Sequence, residues 1–149
     1  MEDLKREDIL ILLEEAAKKA EELKLPSCSI AVVDGGGNLA GFLRPVDGKF
    51  STVSLAINKA WTAMGMKIPS GYLKSIVEPG TMAYGIHITE PKICALGGGF
   101  PITRDGVNYL GGVAVSGSGS VEMDIAVCIA ALEAAGFKSD FGESRYAQK

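Results

Sequence analysis

The run Asp34-Gly35-Gly36-Gly37-Asn38 lies between two short apolar stretches, Ser29 to Val33 and Leu39 to Leu43. Consecutive glycines carry no Cβ, so the backbone can enter the left-handed region and reverse within a few residues. Two β-prone stretches joined in this way make a hairpin, and a hairpin commits the chain to antiparallel pairing with a face to bury. The flanking patterns supply the cover. Upstream, Ile9, Leu12, Leu13, Ala16, Ala20 and Leu23 recur at helical spacing, with Glu14/Lys18 and Glu15/Lys19 on the opposite side, so an amphipathic helix runs up to Pro26. Downstream, Leu55, Ala56, Ala60, Ala63 and Met64 predict a second helix capped by Ser51 or Thr52, and Pro69-Ser70 opens a short third that closes before Pro79-Gly80.

Thr81 to Glu90 follows no single period. Ile93 to Leu96 then reads as a strand and Gly97-Gly98-Gly99 as a turn. Ile102-Thr103-Arg104 and Val107 to Val115 read as two more strands around Asp105-Gly106, a dipeptide that favours a type I′ hairpin. The last helix starts near Ser118 or Ser120, carries Glu122 and Asp124 where the helix dipole favours negative charge, and stops at Gly136. Residues after Lys138 read as a polar tail. The expected order is α-β-β-α-α-β-β-β-α, an α+β fold with an antiparallel-rich sheet and helices packed on it. No fixed-period repeat divides the chain, and residues 1–149 are expected to form a single domain.

A net charge of −3 opposes nucleic-acid binding, which needs clustered cations to release counterions. No apolar run approaches the roughly 20 residues of a membrane span, and Met1 to Asp8 lacks the apolar core of a signal peptide, so a cytoplasmic protein off the membrane is expected. Cys28, Cys94 and Cys128 stand far apart in apolar surroundings and read as reduced thiols.

His87 is the single histidine, which excludes a two-histidine metal motif and leaves one imidazole for iron ligation or base catalysis. The segment Val115-Ser116-Gly117-Ser118-Gly119-Ser120 passes from a strand into a helix, where amides can receive a hydroxyl or carboxylate or can simply form a cap and turn. Asp34 precedes glycine as turn residues do. Arg44 and Asp47 flank Pro45 in a loop after a strand, where a rigid scaffold displays functional groups or a weak surface ion pair. Lys59 sits among Ala56, Ala60 and Ala63, a face narrow enough for its ammonium to enter a cavity, although the stem could also carry it to solvent. Tyr72, Tyr84 and Trp61 can wall a flat apolar pocket or fill the core.

The stretch from Val33 through Asp34-Gly35-Gly36-Gly37-Asn38 to Arg44, followed by Asp47-Gly48, resembles a signature of the GlcG/HbpS-like family, which includes the PduO C-terminal domain. Lys59-Ala60-Trp61-Thr62-Ala63, Gly98-Gly99-Phe100-Pro101-Ile102, and Val115-Ser116-Gly117 with downstream Asp124 resemble three later blocks of the same family, in the same order. The resemblance implies a profilin-like fold, a homo-oligomer and, in some members, haem or related tetrapyrrole binding. It also implies that an iron-ligating histidine would lie on the first helix; Ile11 to Lys18 holds none, so His87 would have to serve from elsewhere.

These readings make Asp34, Arg44, Asp47, Lys59, His87, Gly98, Gly99, Ser116, Gly117 and Asp124 the candidate ligand-binding residues. The expected function is binding of haem, another tetrapyrrole or a small organic acid within an oligomer. The alternatives are an enzyme acting on a small carbonyl or hydroxy acid through a carboxylate base with Arg44 or Lys59, and an accessory subunit whose glycines serve assembly alone.

Overall fold

The computed structural model describes residues 2–147. Helix α1 (Arg6–Glu22) leads into strands β1 (Ser29–Asp34) and β2 (Leu39–Leu43), then helix α2 (Ser51–Met66). A 3₁₀ turn (Ser70–Leu73) and two short helices, α3 (Lys74–Val77) and α4 (Ile86–Thr89), precede strands β3 (Gly99–Thr103) and β4 (Tyr109–Ser116) and helix α5 (Val121–Ala134). The four strands form one antiparallel sheet in the order β2-β1-β4-β3. The α+β architecture expected from the hairpin is the one observed.

Alternation along the central strands sorts side chains onto two faces. Ile30, Val32, Val113 and Val115 join Leu12 and Ala16 of α1 and Val127, Ala131 and Leu132 of α5 in the larger core. Each of the fully buried Val, Leu and Ile side chains contributes about 1.5–3 kcal/mol. The other face carries Ala31, Val33 and Ala114 against Ala56 and Ala60 of α2. Small residues there let α2 lie close to the sheet, and a Cβ on Gly112 would run into the Ala60 carbonyl oxygen.

The sheet has four strands where five were expected. Ile93 to Leu96 runs without a strand partner, and Gly99, expected in a turn, opens β3 opposite Ala114. The reason is local: the Thr62 hydroxyl donates to the Lys92 carbonyl and accepts from the Cys94 amide, so this segment is fastened to α2 by a side chain. Asp105-Gly106 does not form a type I′ turn, because Gly106 has φ 75° while Asp105 keeps a negative φ. Its carboxylate instead accepts the amides of Val107 and Asn108, both at 2.8 Å, and holds a wider loop. Neither Ser51 nor Thr52 caps α2: Phe50 holds that position, and the Thr52 hydroxyl donates to the Lys49 carbonyl and shares a hydrogen bond with Ser29. Ser120 does cap α5, accepting from the Met123 amide, and Gly136 at φ 78° ends it. Among the described residues after Lys138 the stretch is polar and largely exposed, but Phe141 packs on Phe100 with ring centroids 6.0 Å apart.

Candidate functional site

Lys59 stands at the centre of the candidate site. Its place among small residues on α2 draws the stem inward, and the residue is 1% exposed. The ammonium donates to the Val115 carbonyl at 3.0 Å and to Asp124 Oδ2 at 3.1 Å. Asp124, 5% exposed, stands in the first turn of α5 and also accepts the Ser118 amide at 3.1 Å on Oδ1. Because α2 and α5 pack on opposite faces, this pair ties the two layers together past the end of β3.

Glycine makes the passage. Gly98 has φ 120°, and a Cβ there would lie 2.6 Å from the Val115 carbonyl oxygen and 3.1 Å from the Lys59 ammonium. A Cβ on Gly99 would strike the Lys59 carbonyl, and the Gly99 amide instead donates to the buried Ser70 hydroxyl at 3.0 Å. A Cβ on Gly117, at φ 106°, would come equally close to the Ser27 carbonyl, and the Ser27 hydroxyl donates to the Gly117 carbonyl at 2.8 Å. Ser116 is buried and pairs across the strands with Ser29.

The junction shapes two neighbouring thiols. Burial, reinforced by the Asp124 carboxylate and opposed by the Lys59 ammonium, pushes the Cys28 thiol up to about 11. Burial pushes Cys128 up further still. Both stay protonated near neutral pH and are poor nucleophiles.

Gly97 and Gly98 form part of the wall of a cleft of about 1210 Å³. Tyr72, Phe100, Ile125 and Phe141 supply apolar surface, and the cleft also includes Lys74, Glu78, Glu122 and Asp140. A smaller cavity of about 590 Å³ lies between α1 and the β1-β2 hairpin and includes Cys28.

Of the residues singled out from the sequence, Lys59, Gly98, Gly99, Ser116, Gly117 and Asp124 gather at this end of the sheet. Four others stand elsewhere. Asp34 accepts the Gly36 and Asn38 amides, both at 2.9 Å, and so organises its own turn. Arg44 is exposed and donates to the Gly48 carbonyl at 2.8 Å; Asp47 is exposed nearby. His87 is exposed on α4, outside the cleft. Of the aromatic candidates, Tyr72 walls the cleft, Tyr84 is exposed, and Trp61 packs beside Gly37. Ser70 and Phe141 carried no functional signal in the sequence: one hid behind a proline cap, the other in a polar stretch.

A single antiparallel sheet with helices on both faces, a lysine–aspartate pair through its end and glycine turns around that pair define the class. The family described as haem degrading protein HbpS-like matches residues 4–133, and the chain belongs to it. It is similar to corrinoid adenosyltransferase PduO of Citrobacter freundii, 38% identical over 120 residues, which are 80% of this chain and 35% of that protein. The chain thus spans about a third of the length of that relative. Among solved structures, the PduOC:heme complex has a TM-score of 0.86 at 32% identity, covering 93% of this chain and 99% of that one. Klebsiella pneumoniae protein ORFY has a TM-score of 0.84 at 30% identity, covering 91% and 92%. Among the described residues no helix is long and apolar enough to cross a membrane.

Proposed function

We propose that this chain is a small-molecule-binding protein whose cleft beside Gly98 takes a flat macrocycle of the tetrapyrrole class. The observation that carries the reading is the cleft itself: about 1210 Å³, with a glycine backbone on one side and Tyr72, Phe100, Ile125 and Phe141 around it. Backbone without side chains and broad apolar walls suit a large flat ring. The similarity to the PduOC:heme complex supports the same class of ligand.

The residues present fit the ring better than they fit an imidazole-ligated iron. Among the described residues the cleft is lined by no histidine, cysteine or methionine, and His87 is exposed elsewhere. A bound haem would bring iron-centred electron and oxygen chemistry; the chain's part would be to hold the ring and exclude water. Glu78, Glu122 and Asp140 outnumber Lys74 in the cleft, so a ring edged with amides is recognised at least as readily as one edged with carboxylates, and a small organic acid is disfavoured. Arg44 and Lys59 face different partners and form no anion clamp.

We also infer a homo-oligomer. Met82, Tyr84 and Ile88 are 77%, 62% and 81% exposed on one excursion of the chain, apolar surface that a second copy would cover. Sedimentation equilibrium checks it: a mass of one chain at all concentrations would count against the assembly.

Titration with haemin, iron-free protoporphyrin IX and cobalamin, read by absorbance and thermal midpoint, tests the ligand class. A ligand specific for the native state at a hundredfold its Kd stabilises by about 2.7 kcal/mol. At least one ring is expected to bind saturably, protoporphyrin IX as tightly as haemin, and His87→Ala to leave binding intact. No response to any ring removes the proposal; haemin binding lost in His87→Ala moves the iron to a site outside the cleft.

A further inference from the structure

The segment that follows α5 crosses the cleft and is fastened at both ends. At one end the Lys138 amide donates to the Thr103 carbonyl at 2.8 Å, fixing the chain to the edge of β3. At the other, its contacts fall on the 3₁₀ turn and α3. The Tyr72 hydroxyl donates to the Gly142 carbonyl, the Ser75 hydroxyl to the Tyr146 carbonyl at 2.6 Å, and the Ser144 hydroxyl to the Tyr72 carbonyl at 3.1 Å. Between these ends Ser139, Asp140 and Phe141 line the cleft, Phe141 lying on the Phe100 ring.

We propose that residues 139–147 are a retention strap, which opens to admit the ring and, once latched on Tyr72 and Ser75, slows its escape. The proposal rests on the cleft being the binding site. Its physical basis is the contrast between the strap and what it joins. The strap has no regular secondary structure; it is held by Phe141 against Phe100 and the rim of the larger core, by the Ser139 hydroxyl donating to Glu133 at 3.2 Å, and by a latch of side-chain hydrogen bonds. The opposite walls are α5, Phe100 of β3, the 3₁₀ turn with α3, and the segment from Ala95 to Gly98. A segment without strand or helix pairing opens at lower cost than the fold, and Gly142 at φ 68° supplies a joint beside the latch. The strap lies beyond the family-matched stretch, residues 4–133. Burial, and secondarily the Asp140 carboxylate, raise the Tyr72 hydroxyl above its ordinary value, so it remains a donor across the neutral range.

The test compares the full chain, a chain ending at Lys138, Phe141→Ala, and Ser75→Ala, whose side chain lies on the latch and outside the cleft. Protoporphyrin IX is loaded and its release into excess serum albumin is followed by fluorescence. Truncation is expected to raise the release rate about tenfold or more and Ser75→Ala a few-fold, with a smaller change in association, since affinity differences among related complexes sit mostly in the off-rate. Equal release from all forms overturns the strap. If truncation lowers the thermal midpoint so far that the chain unfolds, Ser75→Ala and Phe141→Ala decide alone, and unchanged release from both is fatal. If protoporphyrin IX binds no form, the binding proposal for that probe fails separately. Closure is then read by amide exchange at Gly97 to Phe100: faster exchange in Ser75→Ala supports the strap, and equal exchange rejects it.

Discussion

Gly35-Gly36-Gly37 and Gly97-Gly98-Gly99 are the same tripeptide in two places, and they answer to different forces. The first is a solvated hairpin tip. A Cβ on Gly35 would meet only ordinary contact, 3.6 Å from the Leu110 carbonyl, one on Gly36 would touch the end of the Asn38 side chain at 3.0 Å, and Gly37, at φ 81°, both requires the left-handed region and faces the Trp61 ring at 2.8 Å. The second is pressed between layers, where a Cβ on any of the three would meet an atom within 3.0 Å. At the tip the close neighbours of an added Cβ are side chains; at the junction Gly98 and Gly99 face backbone oxygens, which cannot step aside. Glycine at a sheet end is therefore demanded most strictly where something large and buried passes behind it, as Lys59 does here.

The largest effect expected from breaking that contrast comes from the group behind the glycines. Asp124→Ala leaves the Lys59 ammonium buried beside one carbonyl, and losing one partner of a buried pair costs about 3–5 kcal/mol. Chemical denaturation of the variant measures it, and a loss below about 1 kcal/mol would mean that water reaches the ammonium. Replacing both partners with apolar residues, Lys59→Met with Asp124→Leu, is expected to recover most of the loss, since desolvation of two charges offsets much of their attraction. If the double variant is as unstable as the single one, shape rather than charge holds the layers.

Next in size are the glycines themselves. Gly98→Ala combines a left-handed φ with a Cβ 2.6 Å from a backbone oxygen, and should cost about 2–4 kcal/mol. Gly35→Ala, with neither problem, should stay within about 0.5 kcal/mol. Equal thermal midpoints for the two variants would erase the distinction drawn between the triplets.

The same contrast explains what could be read from the sequence. The hairpin, the three long helices and their apolar faces were legible because periodicity and glycine turns are local properties. Lys59 and Asp124 were legible as candidates, being polar residues within family-like motifs, but their meeting was not: they are 65 positions apart and joined only by the fold. Ile93 to Leu96 misled because strand propensity says nothing of the Thr62 hydroxyl that holds this segment from another element. Phe141 was hidden by polar neighbours, since one aromatic residue has no period. Arg44, Asp47 and His87 show the converse, chemically capable groups that the fold leaves at the surface away from the junction.

A third aspartate-glycine turn gives the smallest and most specific test, because there the carboxylate rather than the glycine does the organising. Asp105 accepts the backbone amides of Asn108 and Val107 and the Asn108 side chain, which together lower its pKa from 3.8 to about 2. An acid whose pKa falls on folding binds fewer protons in the native state, so its contribution to stability is present above the unfolded value and fades as pH falls through the folded one. Asp105→Asn should therefore lower the thermal midpoint slightly at pH 6, with the gap from the parent chain closing between about pH 4 and pH 2. The side chain is exposed, so added salt should narrow the gap at pH 6 as well. A gap that persists unchanged down to pH 2 would show that the amide had cost the loop its geometry rather than its charge, and the turn would then depend on shape, as the Gly98 junction does.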